Sequence, residues 1–330
     1  MKKRSVLVSI VGIVLMLALT LTGCGQTTPT TTPTAEKYPT KPINMIIAYT
    51  AGGSSDIQAR IMQKYWNKYV PEQPWVFNYT TGAAGAIGFG AVAKAQPDGY
   101  TMGGVNIPHM ILQPMGQGAQ YTIDDFQYIA QVVNDPQVIA VQKDSQFKTW
   151  QEVIDYAKAN PKKLKVGIVG TYSGHHMMLL DLKAKTGIEV TQVVYKGAAD
   201  QNAALLGKEI DVMLGNVNDV MRSLENMSVL GLAANKRSEF LPDVPTLKET
   251  GLDLVSAVQR GFVVPKATAP EKVKFLRDSF AKIQADPDYL ADMKKAGQPT
   301  DYLTGEEFDK YVHDQEPINR ALLVKFGLMK

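Results

Sequence analysis

Apolar positions along this chain follow two different periods. Short apolar runs at 43–49, 75–79, 101–105, 128–133, 138–142, 164–169, 190–195, 212–215, 229–233 and 262–264 read as strands, because each is brief and bounded by glycine, proline or small polar residues. Between most of them the apolar positions recur every three to four residues, the period of a helix with one buried face. The helix after 43–49 is expected to bury Ile57, Ile61, Tyr65 and Tyr69, with Met62 and Trp66 beside them, and to end at Pro71. Four pairs, Thr149 with Glu152, Thr246 with Glu249, Thr268 with Glu271 and Thr304 with Glu307, have the spacing at which a threonine and a glutamate cap a helix start reciprocally. Pro270 fits the first turn of a helix carrying Val273, Leu276, Phe280 and Ile283, and Pro317 predicts a kink or break in the last helical pattern. This alternation predicts an α/β architecture with largely parallel sheets.

The two ends of the pattern differ. Residues 1–23 hold a basic start, an apolar run from Val6 to Leu21 and no acidic residue, which is how an export signal looks. Leu21-Thr22-Gly23-Cys24 resembles a bacterial lipobox, implying cleavage before Cys24 and acylation of its thiol, as with palmitate. An uncleaved anchor helix is the alternative, and it too puts the body outside the cytoplasmic membrane. Cys24 is the only cysteine, so the fold must hold without an internal disulfide. Residues 24–37 are rich in Thr and Pro and read as a semi-stiff tether, at about 3 Å per residue where extended. The formal charge of +3 comes from Lys2, Lys3 and Arg4; without them the 35 basic residues fall to the number of acidic ones, 32. A near-neutral body argues against a nucleic-acid partner. The length of 330 residues suits two lobes.

Three turns carry the candidate chemistry. "YTAGGSSD" at 49–56, "TTGAAGAIG" at 80–88 and "GTYSGHH" at 170–176 each follow a strand and open a helix. There the first backbone N–H groups lack partners and the helix dipole is positive, so glycines that expose them create a seat for an anion. Ser54, Ser55 and Asp56 fit as caps of the first helix; an ordinary capped turn is the plainer reading. Three such turns in two lobes suggest half-sites closing on one anionic ligand. Catalytic readings fare worse. Ser173 lacks the spacing of a nucleophile elbow. His175 and His176 are adjacent and so point about 100° apart on a helix, and no metal cluster is visible. A binding protein without a cofactor is expected, with a hydrolase on Ser173 as rival.

With those residues in view, the chain resembles the substrate-binding receptors of tripartite tricarboxylate transporters, the Bug receptors. The resemblance spans about 38–328 and is carried by "YPTKPINMIIAYTAGGSSDIQAR", "NYTTGAAGAIGFGAVAKAQPDGYTM", "VVYKGAADQNAALLGKEIDVM", "KRSEFLPDVPTLKETG" and "RGFVVPKATAPEKV". It implies a two-lobed, hinged fold of the type II periplasmic-binding (Venus-flytrap) kind, with lobe 1 at 38–136 plus 257–330 and lobe 2 at 137–256. It also implies closure on a small di- or tricarboxylate or related organic acid, which is then delivered to membrane subunits. A receptor informing a membrane sensor kinase is the alternative. Carried over residue by residue, the ligand-binding candidates are Thr50, Gly52, Gly53, Ser54 and Asp56 in the first turn and Gly82, Ala83, Ala84 and Gly85 in the second, followed by Asn106. Gly170, Thr171, Tyr172, Ser173 and His176 belong to the third turn, and Tyr195, Lys196, Gly197, Asn216, Asn218 and Arg260 complete the set. Ala51 stands where the family often has proline. Tyr172 replaces a usual glycine and so is expected to narrow the pocket. Asn216 and Asn218 occupy a stretch that often holds an aspartate and an asparagine. Arg260 is the expected carboxylate clamp, since a guanidinium grips a carboxylate through two parallel hydrogen bonds; a surface salt bridge is the alternative.

Overall fold

A computed structural model describes residues 37–329; the expected signal sequence, Cys24 and the remainder of the tether lie outside the described residues. In chain order the main elements are β1 (Ile43–Ile47), α1 (Ser54–Tyr69), β2 (Trp75–Tyr79), α2 (Ala86–Ala93), β3 (Thr101–Ile107), α3 (His109–Gln117) and β4 (Phe126–Gln142). They continue with α4 (Trp150–Ala159), β5 (Lys165–Val169), α5 (Gly174–Thr186), β6 (Thr191–Tyr195), α6 (Ala198–Leu206), β7 (Val212–Asn216), α7 (Val217–Met221) and β8 (Met227–Ala233). The last are β9 (Ala257–Pro265), α8 (Pro270–Gln284), α9 (Pro287–Lys295), β10 (Thr300–Thr304) and α10 (Gly305–Lys325). Among the described residues no helix is long and apolar enough to cross a membrane.

The strands run in the order β2-β1-β3-β9-β4-β7-β5-β6, with β10 and β8 also paired to β4. The expectation of a largely parallel sheet needs correcting. β1 pairs in parallel with β2 and β3, and β5 with β6 and β7, but every pairing of β4 and β9 is antiparallel. The runs at 128–133 and 138–142 are one strand, not two. Its first part pairs with β9 down to Pro136 opposite Ala257, and its second part pairs with β7 and β8 from Gln137 onward. One long strand therefore joins two half-sheets.

Each half-sheet is covered on both faces. Ile43, Met45 and Ile47 point one way, into Met62, Trp66 and Phe280; Ile46 and Ala48 point the other way, into Phe89 and Val105. That is why the first run is apolar without alternation. The second half repeats the arrangement, with Ile139, Ile168 and Leu214 against Trp150 and Leu179 on one side, and Val138 and Met213 against Leu205 and Val217 on the other.

Several local expectations change. The buried stripe of α1 runs through Ala59, Met62, Tyr65 and Trp66, while Tyr69 is 39% exposed and donates its hydroxyl to Asp286. The reciprocal caps form at Thr149/Glu152 and Thr304/Glu307. Thr246 and Glu249 also bond reciprocally but close a turn instead of a helix. Thr268 does not cap α8, whose N-cap is Ala269 with Pro270 in its first turn. Pro317 lies inside an unbroken α10; it is exposed, so water can serve the carbonyl that its missing N–H leaves unpaired. β10 was not foreseen, because "TDYLT" is half polar and only partly buried.

Candidate functional site

The carboxyl end of β1 leads through Thr50–Gly53 into α1, and this start is open. Its N-cap is Gly53, with no side chain closing on the helix amides. The expected capping role of Ser54, Ser55 and Asp56 is corrected by their contacts. Ser54 donates its hydroxyl to the carboxylate of Asp219 in the other half, and Ser55 donates to Asn106 Oδ1 at 3.2 Å. Asp56 braces the turn from outside, accepting the Gly52 N–H at 2.8 Å, Arg60 at 3.0 Å and the Tyr79 hydroxyl at 2.7 Å. Facing it is the start of α6, whose N-cap Gly197 likewise has no side-chain cap. The two meet closely: a β-carbon on Gly53 would lie 3.9 Å from the Ala198 nitrogen, and one on Gly197 would collide with the Thr50 side chain. Two helix starts, each with unpaired amides and a positive dipole end, thus point at one cleft from opposite halves.

With the halves together the cleft is narrow, a cavity of about 30 Å³. Of the sequence-selected residues, Gly53, Ser54, Asn106, Asn216 and Arg260 line it. Ser55, Tyr49, His109, His175, Ala198 and Asp219 line it as well and were not among the selected site residues. Asp219 had a readable signal: with Asn216 it forms an Asn-x-x-Asp helix start, and its carboxylate accepts the Asn216 N–H at 2.9 Å. His109 and His175 had none, since β-strand ends and strand-to-helix turns bring them together only in three dimensions. His175 Nδ1 accepts the Val169 N–H at 3.2 Å, so the ring proton sits on Nε2 and points to Asn216 Oδ1 at 3.2 Å. Burial pushes both histidines below the ordinary range, His109 strongly, so both are neutral imidazoles.

Arg260 is 1% exposed. Its guanidinium is held from behind by Asp135 at 2.7 Å and by Gln298 at 3.4 Å, leaving Nε without a partner. Burial pushes the Asp135 carboxyl up to about 6, with Arg260 opposing the shift and Asp219 adding to it. The pair is therefore a buried one.

The remaining candidates stand beside the cleft. The second turn has Ala83 and Ala84 at φ 44° and 50°, and the Ala84 carbonyl accepts the Tyr49 hydroxyl at 3.0 Å. It packs on the third turn: Gly170, at φ +72°, would place a β-carbon 2.3 Å from that of Ala84. Gly82 faces the Ile87 side chain and Gly85 faces Phe89 and the Tyr49 hydroxyl, and neither lines the cleft. Thr171 and Tyr172 accept Gln113 through their carbonyls at 2.7 and 2.9 Å. The Tyr172 ring lies on Gly116 of α3, so its bulk fills the interface between the halves and not the cleft. Ser173 donates to the Gly170 carbonyl at 2.9 Å and accepts the His176 N–H at 3.1 Å, capping α5. A hydroxyl so occupied is not presented as a nucleophile. His176 turns back to the Tyr172 N–H at 3.2 Å, and burial pushes its pKa down to about 4. Tyr195 accepts the Gly170 N–H through its carbonyl at 3.1 Å, Lys196 is exposed, and Asn218 donates to the Ala296 carbonyl at 2.8 Å. Among the described residues no group of three His, Cys, Asp or Glu could hold a metal ion.

Two half-sheets joined by a shared long strand, with helix starts meeting over the cleft between them, define a solute-binding protein of the two-lobed periplasmic type. The chain overlays the structure of the periplasmic binding protein BugD with a TM-score of 0.83 at 28% identity, covering 89% of this chain and 100% of that one. A structure described as a periplasmic transporter gives 0.84 at 29% identity, over 89% and 99% of the two chains. The model for the tripartite tricarboxylate transporter family receptor matches residues 59–328, and the chain belongs to this family. Its relatives include the UPF0065 protein in the gbd 5′ region of Cupriavidus necator, 32% identical over 298 residues and 90% of each chain. Protein BugT of Bordetella pertussis is 27% identical over 248 residues, 73% of this chain and 76% of its own.

Proposed function

We propose that the protein captures a small organic carboxylate between its two lobes outside the cytoplasmic membrane, and hands it to the membrane subunits of a tripartite tricarboxylate-type transporter. The observation that carries the binding step is the meeting of two helix starts, at Gly53–Ser54 and Gly197–Ala198, with no side chain capping either. Their amides form a donor-rich seat for an anion. The lobes are 38–136 with 257–330, and 137–256, because strand partners change between Pro136 and Gln137 and chain pairing resumes at Ala257. The hinge then lies where β4 and β9 cross from one lobe to the other. Closure is favoured by contacts that exist only when the lobes meet, including Ser54 to Asp219, Arg222 to the Gly52 carbonyl and Gln113 to Thr171, and the solute adds its own bonds to this state. Cys24, acylated, anchors the protein to the membrane, and the Thr/Pro tether keeps it near the transporter. No bond of the solute is made or broken.

A thermal-shift screen of the purified protein tests the binding step, with citrate, succinate, malate, benzoate and the common amino acids as probes. Binding to the folded state at a hundredfold excess over Kd stabilises by about 2.7 kcal/mol, so a concentration-dependent rise in Tm is expected. A Tm indifferent to every carboxylate contradicts the proposal.

A further inference from the structure

The charges at the cleft do not sum to what a simple dicarboxylate needs. Arg260 and Asp219 are the charged side chains on its wall; His109 and His175 line it as neutral rings. The positive charge of Arg260 is already balanced by Asp135 behind it, at 2.7 Å, with both side chains at most 1% exposed. Asp219, also 1% exposed, has no Lys, Arg or His within ion-pair distance among the described residues. It accepts only from neutral donors, the Ser54 hydroxyl and the Asn216 N–H. Arg222, one turn along the same helix, is directed to the Gly52 carbonyl instead. A buried carboxylate without a counter-charge is costly, and a second one brought beside it adds repulsion. Two further cleft atoms, His109 Nδ1 and Arg260 Nε, are buried without partners, so the polar lining is incomplete until a solute supplies bonds.

We propose that the solute is zwitterionic, a small amino acid or similar compound, and that Asp219 is the residue selecting its cationic group. This rests on the carboxylate-binding reading above and narrows it. The solute's carboxylate sits on the open helix starts at Ser54 and Ala198. Its ammonium faces Asp219, near the carbonyl oxygens of Asn106 and Asn216, which both line the same cleft. An ammonium donates three hydrogen bonds and cancels the charge that the protein leaves unbalanced.

Calorimetric titration of the intact protein with matched pairs tests this: L-aspartate against succinate, L-glutamate against glutarate, and other common amino acids against acids of the same skeleton lacking the amino group. The tightest ligand is expected to be an amino acid bound at least tenfold more strongly than its deaminated partner, roughly 1.4 kcal/mol. Asp219→Asn brings that ratio within threefold, whereas Ser54→Ala, which removes the contact between lobes but keeps the charge, preserves it. Equal or tighter binding of the deaminated acids overturns the proposal while leaving the carboxylate reading intact, and so does an unchanged ratio in Asp219→Asn. Binding by no member of this panel overturns the zwitterion proposal alone; the carboxylate reading falls only if the thermal-shift screen, citrate and benzoate included, is silent as well. The wild-type ratio decides even where the Asp219 variant does not fold.

Discussion

The turns at 50–56 and 170–176 look alike in sequence yet do opposite things. Each leaves a buried strand through glycine, carries serine and opens a long helix. In the third turn Ser173 occupies the N-cap itself, so its hydroxyl takes the His176 amide, while the imidazoles of His176 and His175 take the amides of Tyr172 and Val169. That turn directs the Tyr172 and His176 amides onto its own side chains. In the first turn the N-cap is glycine, and Ser54 and Ser55 lie one and two positions further on, where their hydroxyls point away to Asp219 and Asn106. A displacement of one residue relative to the helix start separates a self-satisfied cap from an open anion seat.

The strongest perturbation removes the buried charge pair behind the cleft. Arg260→Ala leaves Asp135 buried and unpaired, so the protein should lose about 3–5 kcal/mol of stability, read by urea denaturation. A loss below 1 kcal/mol would mean that the pair is dispensable. Acid probes the same pair. Because the folded-state pKa of Asp135 is raised to about 6, the folded protein keeps a proton that the unfolded chain releases between roughly pH 4 and 6. Its contribution to stability is fully present below the unfolded value and lost as pH rises through about 6. Wild type should therefore gain on Asp135→Asn by up to roughly 3 kcal/mol as pH falls from 7 to 4, the shared histidine effects cancelling in the difference. Tm difference curves that are flat across that range would refute the assignment.

Two substitutions then separate the turns. Gly170→Ala places a β-carbon 2.3 Å from that of Ala84 at a positive φ, wedging the lobes apart; ligand affinity should drop about a hundredfold, near 2.7 kcal/mol, by calorimetry. Gly53→Ser supplies the missing cap at an extended backbone position and should weaken carboxylate binding about tenfold, whereas an unchanged affinity would mean that the α1 amides do not bind. The smallest effect is expected at Ser173→Ala, which costs about 1 kcal/mol of stability as a lost cap and leaves affinity within threefold. A larger loss of affinity there would place the third turn in the site.

Much of the fold was legible because it rests on local signals. The strand at 75–79, the caps at Thr149 and Thr304 and the helix after Pro270 follow from spacing alone. The antiparallel spine was not, because an apolar run such as 138–142 does not state which neighbour it will pair with, and β4 reads as two strands only because Asn134, Asp135 and Pro136 interrupt it. The site was legible as glycine-serine turns, but the sequence alone does not show that the second and third turns pack on each other. Nor does it show that Tyr172 lies on Gly116, that Arg260 is buried against Asp135, or that Asp219 and the two histidines converge on the cleft from opposite sides. Those facts depend on how two lobes meet.

The most direct test follows backbone amide resonances while the tightest-binding carboxylate of the panel is titrated in. The account predicts that Ser54 and Ser55 in one lobe and Ala198 and Ala199 in the other shift together and saturate at one ligand concentration. Shifts confined to a single lobe, or concentrated at 83–85 and 170–172 with those four amides silent, would contradict it.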